Sequence, residues 1–185
     1  MIYNQLNVAI TGHTKGIGLG LAIEFANRGS NVFGFSRSNG YDITTQSSTN
    51  DIMSEVIANK CEVLILNAQY EFQQVYQLYA IYELWKTDPT KTVVVLGSMA
   101  ADKVDSYFHP YSVHKNALDR AVEQLHTNCK CRIINIKPGY TDTPAIQHLK
   151  MKKMPVSQIV NTIFWTLDQP DDVIIRSVVL SPRLN

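Results

Sequence analysis

Tyr111 and Lys115 stand four residues apart in a stretch that begins at Pro110 and carries His114, Leu118, Ala121, Val122 and Leu125 at helical spacing. Side chains at i and i+4 share one face of a helix. A tyrosine is a poor acid–base group at neutral pH, with a free pKa of about 10, and a neighbouring ammonium stabilises its phenolate. Such a pair can give a proton to an alcohol oxygen or take one from it, and Ser98 could reach the same oxygen by a hydrogen bond. Tyr-x-x-x-Lys also occurs on ordinary helices, so its meaning depends on what surrounds it.

The second candidate is Thr11-Gly-His-Thr-Lys-Gly-Ile-Gly18, which follows a short apolar run from Leu6 to Ile10 and opens a helical pattern that stops at Gly29. A strand that turns on glycines into a helix gathers free backbone N–H groups at the positive end of a helix dipole, a place suited to a pyrophosphate. The spacing Gly12, Gly16, Gly18 is GxxxGxG rather than the commoner GxGxxG, and it ends the first strand, where the first βα turn of a doubly wound fold belongs. A ligand-free glycine turn would have the same composition.

The next strand, Asn31–Phe35, runs into Ser36-Arg37-Ser38. In a doubly wound dinucleotide site this end faces the adenosine ribose, and an acidic residue there would take the 2′-hydroxyl. Arg37 instead offers a fork of donors that suits a 2′-phosphate, and Lys15 adds a second cation. These residues favour NADP over NAD, and Asp42 is expected on the adenine side.

These groups need a frame. The chain has 185 residues, 45% of them hydrophobic, with a formal net charge of +1, which fits one globular domain spanning 1–185. The charge argues against bulk electrostatic binding of nucleic acid, and no apolar run approaches the length needed to cross a membrane. The polar start, Met1 to Asn7, does not resemble a signal peptide, and three cysteines are too few and too odd for a disulfide framework, so a reducing cytoplasm is expected. His126, Cys129 and Cys131 have no second ligand pair and are read as a helix end with small thiols; no metal site is expected.

Strand and helix signals alternate along the chain. After Asn31–Phe35, Ser48-Thr49-Asn50-Asp51 reads as a capping box that opens a helix through Ile57. Val63–Leu66 is a buried strand ended by Asn67-Ala68, and Tyr70–Trp85, of mixed helical spacing, is expected to pack either on the sheet or against another subunit. Val93–Leu96 ends at Gly97-Ser98, Arg132–Ile136 ends before Pro138-Gly139, Pro155 and Ser157 start a helix through Leu167, and Ile174–Leu180 is a last strand. The alternation predicts an α/β fold: a Rossmann-type, doubly wound parallel sheet of about six strands in three α/β/α layers. Ligands bind beyond the carboxyl ends of such strands, and Thr11, Arg37, Asn67, Ser98 and Pro138 all fall there.

Thr11-Gly12-x-x-x-Gly16-x-Gly18, Asp42, Asn67-Ala68, Ser98, Tyr111-x-x-x-Lys115 and Pro138-Gly139 with Thr143 occur in the order and setting of the short-chain dehydrogenases/reductases, and the resemblance covers nearly the whole chain. It implies an NADP(H)-dependent oxidoreductase that interconverts a carbonyl and an alcohol by hydride transfer. By that likeness Tyr111 is the general acid–base, Lys115 holds the nicotinamide ribose and lowers the tyrosine pKa, and Ser98 orients the substrate carbonyl. The cofactor would be held at the glycine turn by Gly12, Thr14, Lys15, Gly16, Ile17 and Gly18. Ser36, Arg37, Asp42 and Ile43 would take its adenosine half. Asn67, Ala68, Pro138, Gly139, Thr141 and Thr143 would line the remainder beside Tyr111 and Lys115. A small-molecule carbonyl or alcohol substrate and a homodimer or homotetramer are implied as partners, with Tyr76, Tyr79, Tyr82 and Trp85 as the aromatic surface to be covered.

The sequence also departs from that family. One β-α element after the second strand is reduced, and Asn67-Ala68-Gln69 replaces Asn-Ala-Gly. The stretch from Asn67 to Ser98 is short and lacks the family's fourth catalytic residue, an Asn; Asn116 does not fill that role. The loop after Thr143 is brief and basic, with His148, Lys150, Lys152 and Lys153. These departures define the alternative expectation, an NADP(H)-binding sensor or scaffold module without catalysis.

Overall fold

The computed structural model describes residues 3–104 and 107–183. Six strands and five helices alternate: β1 Asn7–Thr11, α1 Gly16–Asn27, β2 Asn31–Phe35, α2 Gln46–Ala58, β3 Val63–Leu66, α3 Gln73–Trp85, β4 Thr92–Leu96, α4 Pro110–Leu125, β5 Arg132–Pro138, α5 Val156–Leu167 and β6 Ser177–Leu180. All six strands pair in parallel in the order β2-β1-β3-β4-β5-β6. The order reverses between β1 and β3, so the crevice at their carboxyl ends is a topological switch point. β2 is one edge of the sheet, and β6 the other. The reduced β-α element explains the first edge: α2 returns straight to β3, and no further strand is left to pair outside β2.

The central strands β1, β3 and β4 read as apolar runs because both faces are covered. Alternate side chains point to opposite layers. Val63 and Ile65 join Val8, Ile10, Val94 and Ile134 under α1 and α5. Leu64 and Leu66 join Ala9, Val93, Val95 and Ile133 under α2, α3 and α4. Burying each such side chain stabilises the fold by roughly 1.5–3 kcal/mol.

Three expectations are corrected. The cap of α2 is Thr45, whose hydroxyl accepts the Ser48 N–H at 3.3 Å, so the helix starts before the Ser48 box. Ser48 and Thr49 lie on its buried side with Ile52, Met53 and Val56, and that apolar face decides where the helix begins. β6 starts at Ser177 rather than Ile174; the Asn135 N–H donates to the Arg176 carbonyl, and Ile174 ahead of that first rung is solvent-exposed. Trp85, expected on an aromatic surface, is 3% exposed and belongs to the core. Tyr79 and Tyr82 direct their hydroxyls to Gln124 Oε1 and the Asn128 carbonyl, tying α3 to the end of α4.

Candidate functional site

The carboxyl ends of β1 and β3 are stitched by side chains. Thr11, fully buried, accepts the N–H groups of Asn67 and Ala68 on its hydroxyl, each at 3.0 Å. Asn67 Nδ2 donates to the carbonyls of Thr11 at 3.0 Å and Gly12 at 3.1 Å. Removing the hydroxyl strands two enclosed amides. Thr11→Val is expected to lower unfolding free energy by about 1–3 kcal/mol in urea titrations; an unchanged midpoint would show that water replaces the hydroxyl.

Two glycines of the turn have left-handed backbone, Gly12 at φ 72° and Gly16 at φ 58°. A Cβ on Gly12 would stand 2.9 Å from Asn67 Nδ2, and one on Gly18 would overlap the Gly12 carbonyl oxygen and stand 2.7 Å from the same amide. The turn thus closes against Asn67 with no room for a side chain. It feeds α1, whose first turn has no acidic residue and whose N-cap, Lys15, provides no side-chain acceptor. The first N–H groups of α1 and the positive end of its dipole are available to an anion. Thr14 and Lys15 are exposed, while Ile17 packs its side chain against the core under α1 and α5. His13 lies over β2, where a Cβ on Gly34 would overlap its ring.

The later strand ends close the circle. A Cβ on Gly16 would stand 3.3 Å from Thr143 Cγ2, so the segment after β5 crosses the glycine turn, and one on Gly139 would stand 3.0 Å from Met99 Sδ. Pro138 and Thr141 are buried, and the Thr141 hydroxyl donates to the Gly139 carbonyl at 3.1 Å. At the end of β2, Ser36 turns its hydroxyl onto Ser38 and Asn39, and Arg37 is exposed. Ile43 is buried. Asp42 Oδ1 accepts the Thr44 N–H at 3.0 Å; hydrogen bonds from Thr44, and then the Arg37 charge, hold its carboxyl below the usual range.

Ser98 leaves the end of β4 and accepts the Ala100 N–H on its hydroxyl at 3.1 Å. Tyr111, in the first turn of α4, is 37% exposed and hydrogen-bonded to Ser98. One turn further, Lys115 is 3% exposed, with Nζ 5.7 Å from the centre of the Tyr111 ring. Its ammonium donates to Gln74 Oε1 and to the Leu96 carbonyl, both at 2.6 Å. The structure therefore brings Ser98, Tyr111 and Lys115 together from β4 and α4. Gln74, which the sequence did not single out, completes the cluster.

The electrostatics differ from the expected depression of the tyrosine. Burial pushes the Tyr111 phenol above its ordinary value, and the Ser98 hydrogen bond offsets part of that rise. Burial lowers Lys115 to about 7, with Asp119 acting in the opposite direction. The lysine has lost its hydration, and its bonds run into the sheet rather than towards the phenol.

Among the described residues no three His, Cys, Asp or Glu side chains are grouped to hold a metal ion. His126 bonds the Arg176 backbone, and the Cys129 thiol donates to the Cys131 carbonyl at 3.2 Å. No helix of the described residues is long and apolar enough to cross a membrane.

No family model matches this sequence, and no curated protein resembles it in sequence. Solved structures do resemble the fold. A short-chain dehydrogenase from Burkholderia cenocepacia in complex with NADP has a TM-score of 0.77 at 18% identity, over 97% of this chain and 89% of that one. A 3-alpha-hydroxysteroid dehydrogenase from Pseudomonas sp. B-0831 complexed with NADH has a TM-score of 0.74 at 18% identity, over 95% and 94% of the two chains. A structure titled ribose-5-phosphate isomerase, from Brucella melitensis, has a TM-score of 0.84 at 18% identity, over 97% and 92%. The chain has the Rossmann-type fold of the short-chain dehydrogenases/reductases. One fold serves many chemistries, so function rests on the site itself.

Proposed function

We propose that this chain is an NADP(H)-dependent oxidoreductase that interconverts a carbonyl and an alcohol on a small molecule. The observation that carries the reading is the meeting of Ser98, Tyr111 and Lys115 at the sheet end that also holds the glycine turn. The turn fits a dinucleotide: it excludes side chains at Gly12 and Gly18 and presents the bare start of α1. Gly12, Gly16, Gly18 and the first N–H groups of α1 would hold the pyrophosphate, and Asn67, Pro138, Gly139 and Thr143 the nicotinamide half. Bound there, the nicotinamide supplies or accepts a hydride.

The chain's own groups handle the proton. With the phenol raised by burial, Tyr111 is protonated at neutral pH and serves as the acid that donates to a carbonyl oxygen. Ser98 holds that oxygen beside the phenol. Lys115 spends two N–H bonds on Gln74 and Leu96, which leaves its third for a ribose hydroxyl or the developing phenolate.

Arg37 and Lys15 support the preference for NADP, since both are exposed cations at the two turns that face the adenosine. Arg37→Ala is expected to weaken NADPH about tenfold while changing NADH less than about twofold, as a charge-assisted bond in partly exposed surroundings predicts. Equal losses for both cofactors by fluorescence titration would remove Arg37 from phosphate recognition. The homo-oligomer is part of the same proposal, with exposed Tyr76, Tyr79 and Leu84 on the uncovered part of α3. A panel of aldehydes and ketones followed by nicotinamide absorbance tests the catalytic reading. Consumption of NADPH with a member of the panel supports it, and none with any member favours the non-catalytic module.

A further inference from the structure

We propose that Gln74 is the positioning residue of this site: its side-chain amide fixes the Lys115 ammonium against the ends of β3 and β4 and leaves one N–H directed outward. The inference rests on the catalytic reading above for its consequence, and on geometry alone for the clamp.

Gln74 sits in the first turn of α3 and is 2% exposed. An amide so enclosed is costly unless it is hydrogen-bonded. Its Nε2 donates to the Leu66 carbonyl at 2.8 Å and reaches the Leu96 carbonyl at 3.4 Å, while its Oε1 accepts from Lys115 at 2.6 Å. Leu66 and Leu96 are the last residues of β3 and β4, so one side chain ties two neighbouring strand ends to α4. The chemistry dictates the amide's orientation. Two of its neighbours are carbonyls that only accept, and the third is an ammonium that only donates.

No near relative of glutamine satisfies all three. Asn is a methylene shorter. Glu keeps the acceptor for Lys115 but sets a carboxylate against two carbonyl oxygens. Met matches the volume and offers neither a donor nor a comparable acceptor. The short connection from Asn67 to α3 makes the contact possible, because it starts the helix directly over these strand ends.

The charged and titratable groups around Lys115 are few. Tyr111 lies one turn before it, and Asp119 one turn after. Asp119 is itself held by Lys137 of β5 at 2.5 Å and by Asn135 Nδ2 at 2.9 Å. Lys137 also pairs with Asp102, in the turn after β4, at 2.8 Å. From α3 and β4 the groups that meet the ammonium are Gln74 and the Leu96 carbonyl. Gln74 is thus the partner whose replacement changes the stability of the charged lysine without touching the Asp119–Lys137 pair.

The test is lysine-selective 13C NMR of the full chain, with the Lys115 signal assigned by its loss in Lys115→Met. In wild type the signal is expected to titrate well below the ordinary lysine range, because burial disfavours the ammonium. Gln74→Met removes an acceptor from the charged form and moves the midpoint down by about one unit; Gln74→Glu adds a negative partner and moves it up by about one unit. Superimposed curves for wild type and Gln74→Met overturn the proposal. If that variant does not fold, an unshifted Gln74→Glu overturns it alone. In the carbonyl panel the pH at which kcat halves moves with the NMR midpoint, and Gln74→Glu recovers turnover that Gln74→Met loses. Wild type that consumes no NADPH while Lys115 still responds refutes the catalytic reading and leaves the clamp standing. Turnover with an unresponsive Lys115 refutes the clamp alone.

Discussion

Tyr111→Phe is expected to lower kcat by about 10²–10⁴, the usual contribution of a placed general acid, while leaving NADPH affinity within about twofold. The substitution removes one oxygen from a partly exposed ring, and with it the bond to Ser98. The ring stays in place beneath it, since α4 is held by Leu118, Val122 and Leu125 on the core side. Stopped-flow or steady-state nicotinamide absorbance with a responsive carbonyl is the measurement. Turnover within about threefold of wild type would take the phenol out of the chemistry, because among the described residues Tyr111 is the titratable group hydrogen-bonded to Ser98.

Gly18→Ala carries the other large effect. The new methyl would overlap a backbone carbonyl, that of Gly12, and crowd the Asn67 amide that holds β1 to β3. Neither neighbour is the free end of a flexible side chain. The cost is about 1–3 kcal/mol of unfolding free energy, as for other overpacked sites. Relief by opening the turn would move the N–H groups of α1, so NADPH should weaken by more than about tenfold. Gly20→Ala serves as a control. Its methyl would stand 2.9 Å from Val156 and 3.1 Å from Val160, a crowding of side chains that meets neither the Gly12 carbonyl nor the Asn67 amide. If Gly18→Ala and Gly20→Ala lose equal stability in urea and equal affinity by fluorescence, the tight closure at Asn67 is not what shapes the site.

Much of this arrangement was legible in the residues themselves, and for physical reasons. β2, β3 and α4 begin and end as read, because strong local signals bound them: Gly29 before β2, an unbroken apolar run in β3, Pro110 at the head of α4. The reduced element after β2 could be read from length alone. The start of α2 could not. Thr45 and Ser48 are both good caps, and the choice between them depends on which side of the helix meets the sheet. Trp85 reads as surface among tyrosines until the packing of α3 on β3 and β4 is known.

At the site, the pairing of Tyr111 with Lys115 follows from helix geometry, and Ser98 from its place at a strand end. The state of the lysine did not follow. Spacing shows that an ammonium lies near a phenol; it does not show that burial strips its hydration and lowers it to about 7. Gln74 was also beyond reach. It is one of several glutamines at the start of α3, and only the strand-end carbonyls of Leu66 and Leu96 distinguish it from Gln73 or Gln77.

The most direct measurement is an equilibrium titration of the wild-type chain with NADPH and with NADH, followed by nicotinamide fluorescence. A glycine turn that cradles a dinucleotide gives one saturable site per chain, filled well below about 1 mM and more tightly by NADPH. A chain that shows no saturable binding of either nucleotide at that concentration would contradict it.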